Sequence, residues 1–315
     1  MTEKYDLIVI GAGGSGLAGA MYAARLGLKT LVLGNMAGSE FPIGGVITTT
    51  DIVENYPGFK SITGQELGMK LAEHAKAYSE VTIKIEEALE IERKGDLFLV
   101  ETRKGKYKGK TLLFATGTKW RKLDIPGSKE FERRGVNYCA LCDGPLYTDK
   151  VVGVVGGSDS AIKDALVLAR HAKKVYIIYR GEKVRAEPAN IKKVEESGKI
   201  EIINNTNLTE IIGSEGDSGS VKEVSLDNPY KGDYALKLDA VFVAIGHEVL
   251  SDLAIKIGVE VDEKKEIKIN HKTSETNIPG VFAAGDVTDK HFKQLITGVA
   301  DACTAAHSAY EFISK

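Results

Sequence analysis

The chain alternates short unbroken apolar runs with glycine-rich turns and longer amphipathic stretches. Leu7 to Ile10 is apolar throughout, Gly11-Ala12-Gly13-Gly14-Ser15-Gly16 breaks it, Leu17 to Leu26 has helical spacing, and Leu28 to Leu33 is apolar again. This order predicts a β-strand, a tight turn, a helix and a second parallel strand. The pattern recurs with Lys150 to Val155, the turn Gly156-Gly157-Ser158-Asp159-Ser160-Ala161, the helical stretch Ile162 to His171 and the strand Val175 to Tyr179. Two such units suggest two dinucleotide-type sites.

Further strands are expected at Thr111 to Phe114, running into Ala115-Thr116-Gly117, at Ala240 to Gly246, and at Val281 to Ala284, running into Gly285-Asp286. Gln294 to Phe312 reads as one long helix, and Gly213 to Ser220 as a surface hairpin loop. The order predicts an α/β fold of two doubly wound, three-layer nucleotide-binding domains, the second inserted into the first. Residues 1–118 and 248–315 form one domain and residues 119–247 the other.

At 315 residues the chain is long enough for two domains of ordinary size. Its 34 glycines against 7 prolines suit tight strand-to-helix turns. A formal net charge of -2 carries no field directed at nucleic acid or an anionic membrane. Met1 to Asp6 run into the first strand with neither the apolar core nor the cleavage site of a secretory signal, and no run is as long as a membrane span. A cytoplasmic protein is expected.

In Gly11-x-Gly13-x-x-Gly16 each glycine has a reason. Gly11 permits the turn, Gly13 lets the backbone approach a pyrophosphate, and Gly16 permits close helix–strand packing. The helix start then offers free N–H groups to the anion. The second strand ends at Leu33-Gly34-Asn35, without the carboxylate that commonly holds a ribose; Asn35 or a backbone group could serve instead.

The three cysteines are Cys139, Cys142 and Cys303. A two-residue spacer lets Cys139 and Cys142 close a small ring, so one thiolate can attack a disulfide and the other resolve the product. Asp143 is adjacent and could move the thiol proton. A zinc site would need further ligands, yet Cys303 stands alone and the histidines are scattered, so no metal is expected. Cys303 reads as a core residue of the last helix.

Taken together, the chain resembles the low-molecular-weight thioredoxin reductases over nearly its whole length. The resemblance rests on Gly11 to Gly16, Gly44-Gly45 followed by Val53-Glu54-Asn55-Tyr56-Pro57-Gly58, Ala115-Thr116-Gly117, Cys139-Ala140-Leu141-Cys142-Asp143-Gly144 and Ala283-Ala284-Gly285-Asp286-Val287. It implies FAD bound by Gly11, Gly13, Gly14, Ser15, Gly16, Gly45, Asn55, Ala115, Thr116, Gly117, Gly285, Asp286 and Gln294. It further implies a homodimer, thioredoxin or a similar small protein as partner, Cys142 facing the flavin, Cys139 exposed to that partner, and domains that rotate about their linkers.

The chain also departs from that pattern. Ser158 stands where relatives carry the second glycine, and Tyr179-Arg180-Gly181 replaces His-Arg-Arg. The candidate NAD(P)H contacts are Gly156, Gly157, Ser158, Asp159, Ser160, Arg180 and Arg185. NADPH is the first expected donor, with NADH, reduced ferredoxin or a deazaflavin as alternatives. Val46 replaces a glutamine near the flavin. A flavin dithiol oxidase using oxygen, a ferredoxin–NADP reductase without the cysteine pair, and a non-enzymatic nucleotide- or zinc-binding module are the competing readings.

Overall fold

The computed structural model describes residues 3–34, 42–214 and 219–315. The chain divides into two compact units, Met1–Lys119 with Val249–Lys315, and Trp120–Glu248.

The first unit opens with β1 (Lys4–Ile10), α1 (Gly14–Arg25) and β2 (Thr30–Gly34), followed by α2 (Gly64–Lys76), β3 (Val81–Ile85), β4 (Ala88–Lys94), β5 (Leu97–Thr102) and β6 (Lys106–Phe114). Strands β3-β2-β1-β6 lie side by side, and β1 pairs in parallel with both β2 and β6. Residues of β1 alternate between two cores. Tyr5, Ile8 and Ile10 face one side with β4 and β5, while Leu7 and Val9 face the helices on the other. Burial on both faces explains why β1 reads as a continuous apolar run. The antiparallel β4-β5-β6 meander thus supplies one outer layer, where helices would be the commoner cover.

The second unit contains β7 (Val136–Asn137), α3 (Ala140–Asp143), β8 (Val151–Val155), α4 (Asp159–Ala169), β9 (Lys174–Ile178), α5 (Pro188–Ser197) and β10 (Ile200–Ile203). It continues with β11 (Leu208–Gly213), β12 (Val221–Tyr230), β13 (Asp233–Lys237) and β14 (Ala240–Val243). Its sheet is parallel, in the order β7-β14-β8-β9-β10. Helices α3, α4 and α5 cover one face, and the antiparallel sheet β11-β12-β13 covers the other. Residues 208–213 and 221–226 pair as the flanks of the expected hairpin, whose residues 215–218 lie outside the described residues.

The chain then returns to the first unit. There β15 (Val281–Ala283) adds beside β6, and α6 (Leu295–Ser314) packs on α1. Small residues allow that approach: Ala302, Ala305, Ala306 and Ala309 are buried along α6 against Ala20 and Ala23 of α1.

Candidate active site

In the first unit the sequence-expected residues collect at the carboxyl ends of the parallel strands, where open α/β sheets bind ligands. β1 runs into Gly11, β6 into Ala115-Thr116-Gly117, and β15 into Gly285-Asp286. Backbone bonds fuse these ends: Gly11 N–H donates to Leu33 O at 2.7 Å, Ala115 N–H to Ile10 O at 2.9 Å, and Ala284 N–H to Phe114 O at 3.0 Å.

The glycines here answer to two different demands. A Cβ on Gly11 would lie 2.3 Å from Ala115 O, and one on Gly16 would lie 2.0 Å from Gly11 O. Neighbouring backbone enforces both. A Cβ on Gly13 would meet nothing nearer than 3.8 Å. Gly13 is also the N-cap of α1, makes no side-chain capping bond, and is followed by no acid in the first helical turn. The start of α1 is therefore a bare, electropositive N-terminus beside open space, which fits a dinucleotide pyrophosphate.

Other expected residues surround this cradle. Gly45 approaches Gly13 closely enough that a Cβ on it would be 2.8 Å from Gly13 Cα. Gly14 is buried under Leu295, and the Ser15 hydroxyl sits against Gly285 and Gly298. Thr116 donates its hydroxyl to Leu250 O at 2.6 Å, and Leu250 N–H donates to Gly117 O at 3.0 Å. Asn55 Nδ2 donates to Gln294 Oε1 at 3.0 Å, joining residues 239 positions apart. Val46 lies in a short 3₁₀ turn, Gly45–Thr49, and Asn35 lies outside the described residues. Sequence reasoning missed Lys293. Its ammonium pairs with Glu266 at 2.5 Å and donates to Asp286 O at 3.0 Å, which fixes the Gly285–Val287 turn.

In the second unit Cys139 and Cys142 form a disulfide with a Cα–Cα distance of 5.3 Å. Cys139 is the N-cap of α3, and its Sγ accepts from Cys142 N–H at 3.1 Å. Cys139 is only 7% exposed, while Cys142 is open to solvent. Asp143 is partly buried. Burial holds its carboxyl above the usual carboxylate range, against the opposing pull of the Arg133 guanidinium. Cys303 is a free, half-buried thiol on α6, raised by burial, rather than a fully enclosed core residue.

The second glycine-rich turn repeats the backbone of the first. Gly156 N–H donates to Ile178 O at 3.0 Å, and a Cβ on Gly156 would lie 2.2 Å from Ala244 O. Ser158 is the N-cap of α4 and accepts from Ala161 N–H at 3.4 Å. Asp159 ties this helix start to its surroundings through Lys163 at 2.8 Å, Asn190 Nδ2 at 2.8 Å and Glu187 N–H at 2.9 Å. Ser160 occupies the first turn of α4, and Arg180 and Arg185 are exposed.

Comparison with known proteins agrees with the fold. A thioredoxin reductase of Bacillus subtilis is 35% identical, over 100% of this chain and 97% of its own length. The crystal structure of Lactococcus lactis thioredoxin reductase superposes with a TM-score of 0.90 at 35% identity, covering 98% of this chain and 99% of that one. The T. acidophilum thioredoxin reductase structure gives 0.91 at 33% identity, covering 99% and 100%. The sequence model of the pyridine nucleotide-disulphide oxidoreductases matches residues 5–307. With residues 5–307 matched and a closed cysteine pair in its second unit, the chain belongs to the pyridine nucleotide-disulphide oxidoreductase family.

Proposed function

We propose that this chain is a thioredoxin reductase, in which the first unit holds FAD and the second carries the dithiol that reduces a thioredoxin-type protein. The cradle at Gly11, Gly13 and Gly16 fits the FAD pyrophosphate, with Asn55, Asp286 and Gln294 at its rim. Bound there, FAD supplies the two-electron reduction of the Cys139–Cys142 disulfide.

The remaining chemistry belongs to side chains. Once reduced, the exposed Cys142 thiolate attacks a sulfur of the partner's disulfide. A mixed disulfide forms, and the partner's other sulfur leaves as a thiolate. Asp143, holding its proton more readily than an ordinary carboxyl, is placed to protonate that leaving sulfur. Cys139 then attacks Cys142 Sγ, closing the ring and releasing the reduced partner. The Cys142 N–H directed at Cys139 Sγ favours negative charge on the resolving sulfur. Exposure favours attack by Cys142, whereas the family resemblance implies attack by Cys139.

The observation that carries the reading is the closed two-residue cysteine ring, with the Asp143 carboxyl next in the chain. The test is anaerobic. Flavin-loaded protein is reduced with stoichiometric dithionite and mixed with oxidised thioredoxin, and thioredoxin thiols are counted. Two thiols should appear per enzyme turnover. Cys139→Ser should accumulate a mixed disulfide through Cys142, and Cys142→Ser should keep its flavin yet transfer nothing. Thioredoxin that gains no thiols, or a Cys142→Ser enzyme with full turnover, refutes the mechanism.

A further inference from the structure

The first turn leaves room for a pyrophosphate; the second, built on the same backbone, does not. At the register of Gly13 stands Ser158, whose hydroxyl occupies the cap position and accepts from Ala161 N–H. One helix N–H that would face a phosphate is already bound, and side-chain atoms lie where the backbone has to approach the ligand.

The neighbouring space is filled as well. The Tyr179 ring lies against the turn: a Cβ on Gly157 would fall 2.4 Å from it, and one on Gly181 2.7 Å from it. The ring is bracketed by two residues that have no side chain of their own. Its backbone is pinned, because Tyr179 N–H donates to Ile203 O at 2.9 Å and its carbonyl accepts from Thr206 N–H at 3.1 Å. The segment after it folds back over the turn, with Arg185 N–H donating to Gly157 O at 2.6 Å and a β-bridge joining Arg185 to Ser158. An aromatic ring therefore lies at the end of the second strand, where the adenosine ribose of a dinucleotide rests in this architecture.

We infer that the glycine-rich turn of the second unit holds no pyridine dinucleotide: Ser158 and the Tyr179 ring fill the place of its pyrophosphate and ribose. Gly181 removes a side chain that could have clamped a 2′-phosphate, and a bidentate guanidinium has no equal substitute. Asp159 is not the obstacle, since its carboxylate is already engaged by Lys163 and Asn190. Electrons then enter by a route that needs no nicotinamide bound at this turn. The inference deepens the thioredoxin reductase reading and rests on it for its meaning.

The experiment uses the flavin-loaded full chain. NADPH and NADH are titrated anaerobically while flavin absorbance and nucleotide fluorescence are followed. Neither nucleotide should show saturable binding in the micromolar range, and the flavin should stay oxidised. In parallel, the triple variant Ser158→Gly, Tyr179→His, Gly181→Arg is titrated with NADPH. An opened cradle with one restored charged clamp should gain affinity by about 10- to 100-fold. The single Tyr179→Ala variant, checked for an unchanged thermal transition, serves if the triple variant does not fold, and it should gain in the same direction. Prompt bleaching of the wild-type flavin by micromolar NADPH overturns the inference, as does an opened, folded variant that gains no affinity. The dithionite-fed assay separates the two claims. If it fails to reduce thioredoxin, the proposed function falls while the nucleotide result stands.

Discussion

Asp164 offers a test of how the redox segment is seated. It lies on α4, one turn from Leu168 and two from His171. Leu168 and His171 are the side chains nearest a Cβ built on Gly144, so the last turn of α4 and the residues just after it lie against the chain that follows the cysteine pair. Burial pushes the Asp164 carboxyl up to about 7 from an ordinary 3.8, and no opposing charge contributes. Forcing it to ionise in place therefore costs about 4 kcal/mol at most. Because the folded state holds this proton more tightly than the unfolded chain, the contribution of Asp164 to stability is greatest below pH 3.8 and falls as pH rises towards 7, where the loss levels off. Asp164→Asn removes the ionisation and keeps the shape. Its advantage over the wild type should widen by about 3 kcal/mol between pH 5 and pH 8, at roughly 2–4 °C in Tm for each kcal/mol. Calorimetry of both proteins across that range reads the difference directly, and the constant cost of burying an amide cancels from it. Parallel Tm–pH curves, or a wild type that gains on the variant at alkaline pH, would show that Asp164 reaches water when charged.

Two further substitutions probe the cradle and the proton donor. Gly13→Ala should leave the fold intact, since Gly13 has φ -75° and an added methyl meets no protein atom within 3.8 Å, yet FAD affinity should fall by at least about tenfold; the ratio of flavin to protein absorbance after gel filtration at unchanged circular dichroism measures it, and full flavin content would place the ligand elsewhere. Asp143→Asn should slow thioredoxin reduction by about 10²- to 10⁴-fold while the flavin still accepts dithionite electrons. The wild-type rate should decline as rising pH strips the Asp143 proton, and the variant should lose that limb; an identical pH profile would remove Asp143 from the proton path.

Much of this arrangement is legible in the sequence because local physics dictates it. Leu7 to Ile10 of β1, and strands β8 and β15, are buried on both faces and so read as apolar runs. The first glycine of each turn is fixed by a carbonyl from the neighbouring strand, and a two-residue cysteine spacing needs no tertiary context to close. Helix starts shift by a few residues: α1 begins at Gly14 rather than Leu17, because Gly14, Ser15 and Gly16 of the turn are themselves its first helical residues. What sequence could not supply depends on long-range placement. The meander β4-β5-β6 has half-polar strands whose partner face is set by the sheet they curl over. The Lys293 anchor needs Glu266, 27 residues away, and the burial of Cys139 depends on what packs around α3. Tyr179 left a faint signal, a bulky residue placed two positions before Gly181 and beside a turn whose Gly157 has no pyrophosphate duty.

The two turns separate fold from ligand within one molecule. Gly11 and Gly156 place their missing Cβ atoms 2.3 Å and 2.2 Å from the carbonyls of Ala115 and Ala244. Both glycines are required by the strand–turn–helix path, so either would persist whether or not anything bound. The next position obeys no such constraint. A side chain at Gly13 has space, and α4 folds with Ser158 at the equivalent place and gains a cap from it. A helix N-cap is ordinarily better served by serine than by glycine. Glycine at Gly13 thus forgoes a stabilising bond that its counterpart makes, and the fold alone gives no reason for that loss. A ligand whose phosphates need close backbone approach does. By the same reasoning Ser158 marks a turn released from that demand, free to spend its cap on its own helix.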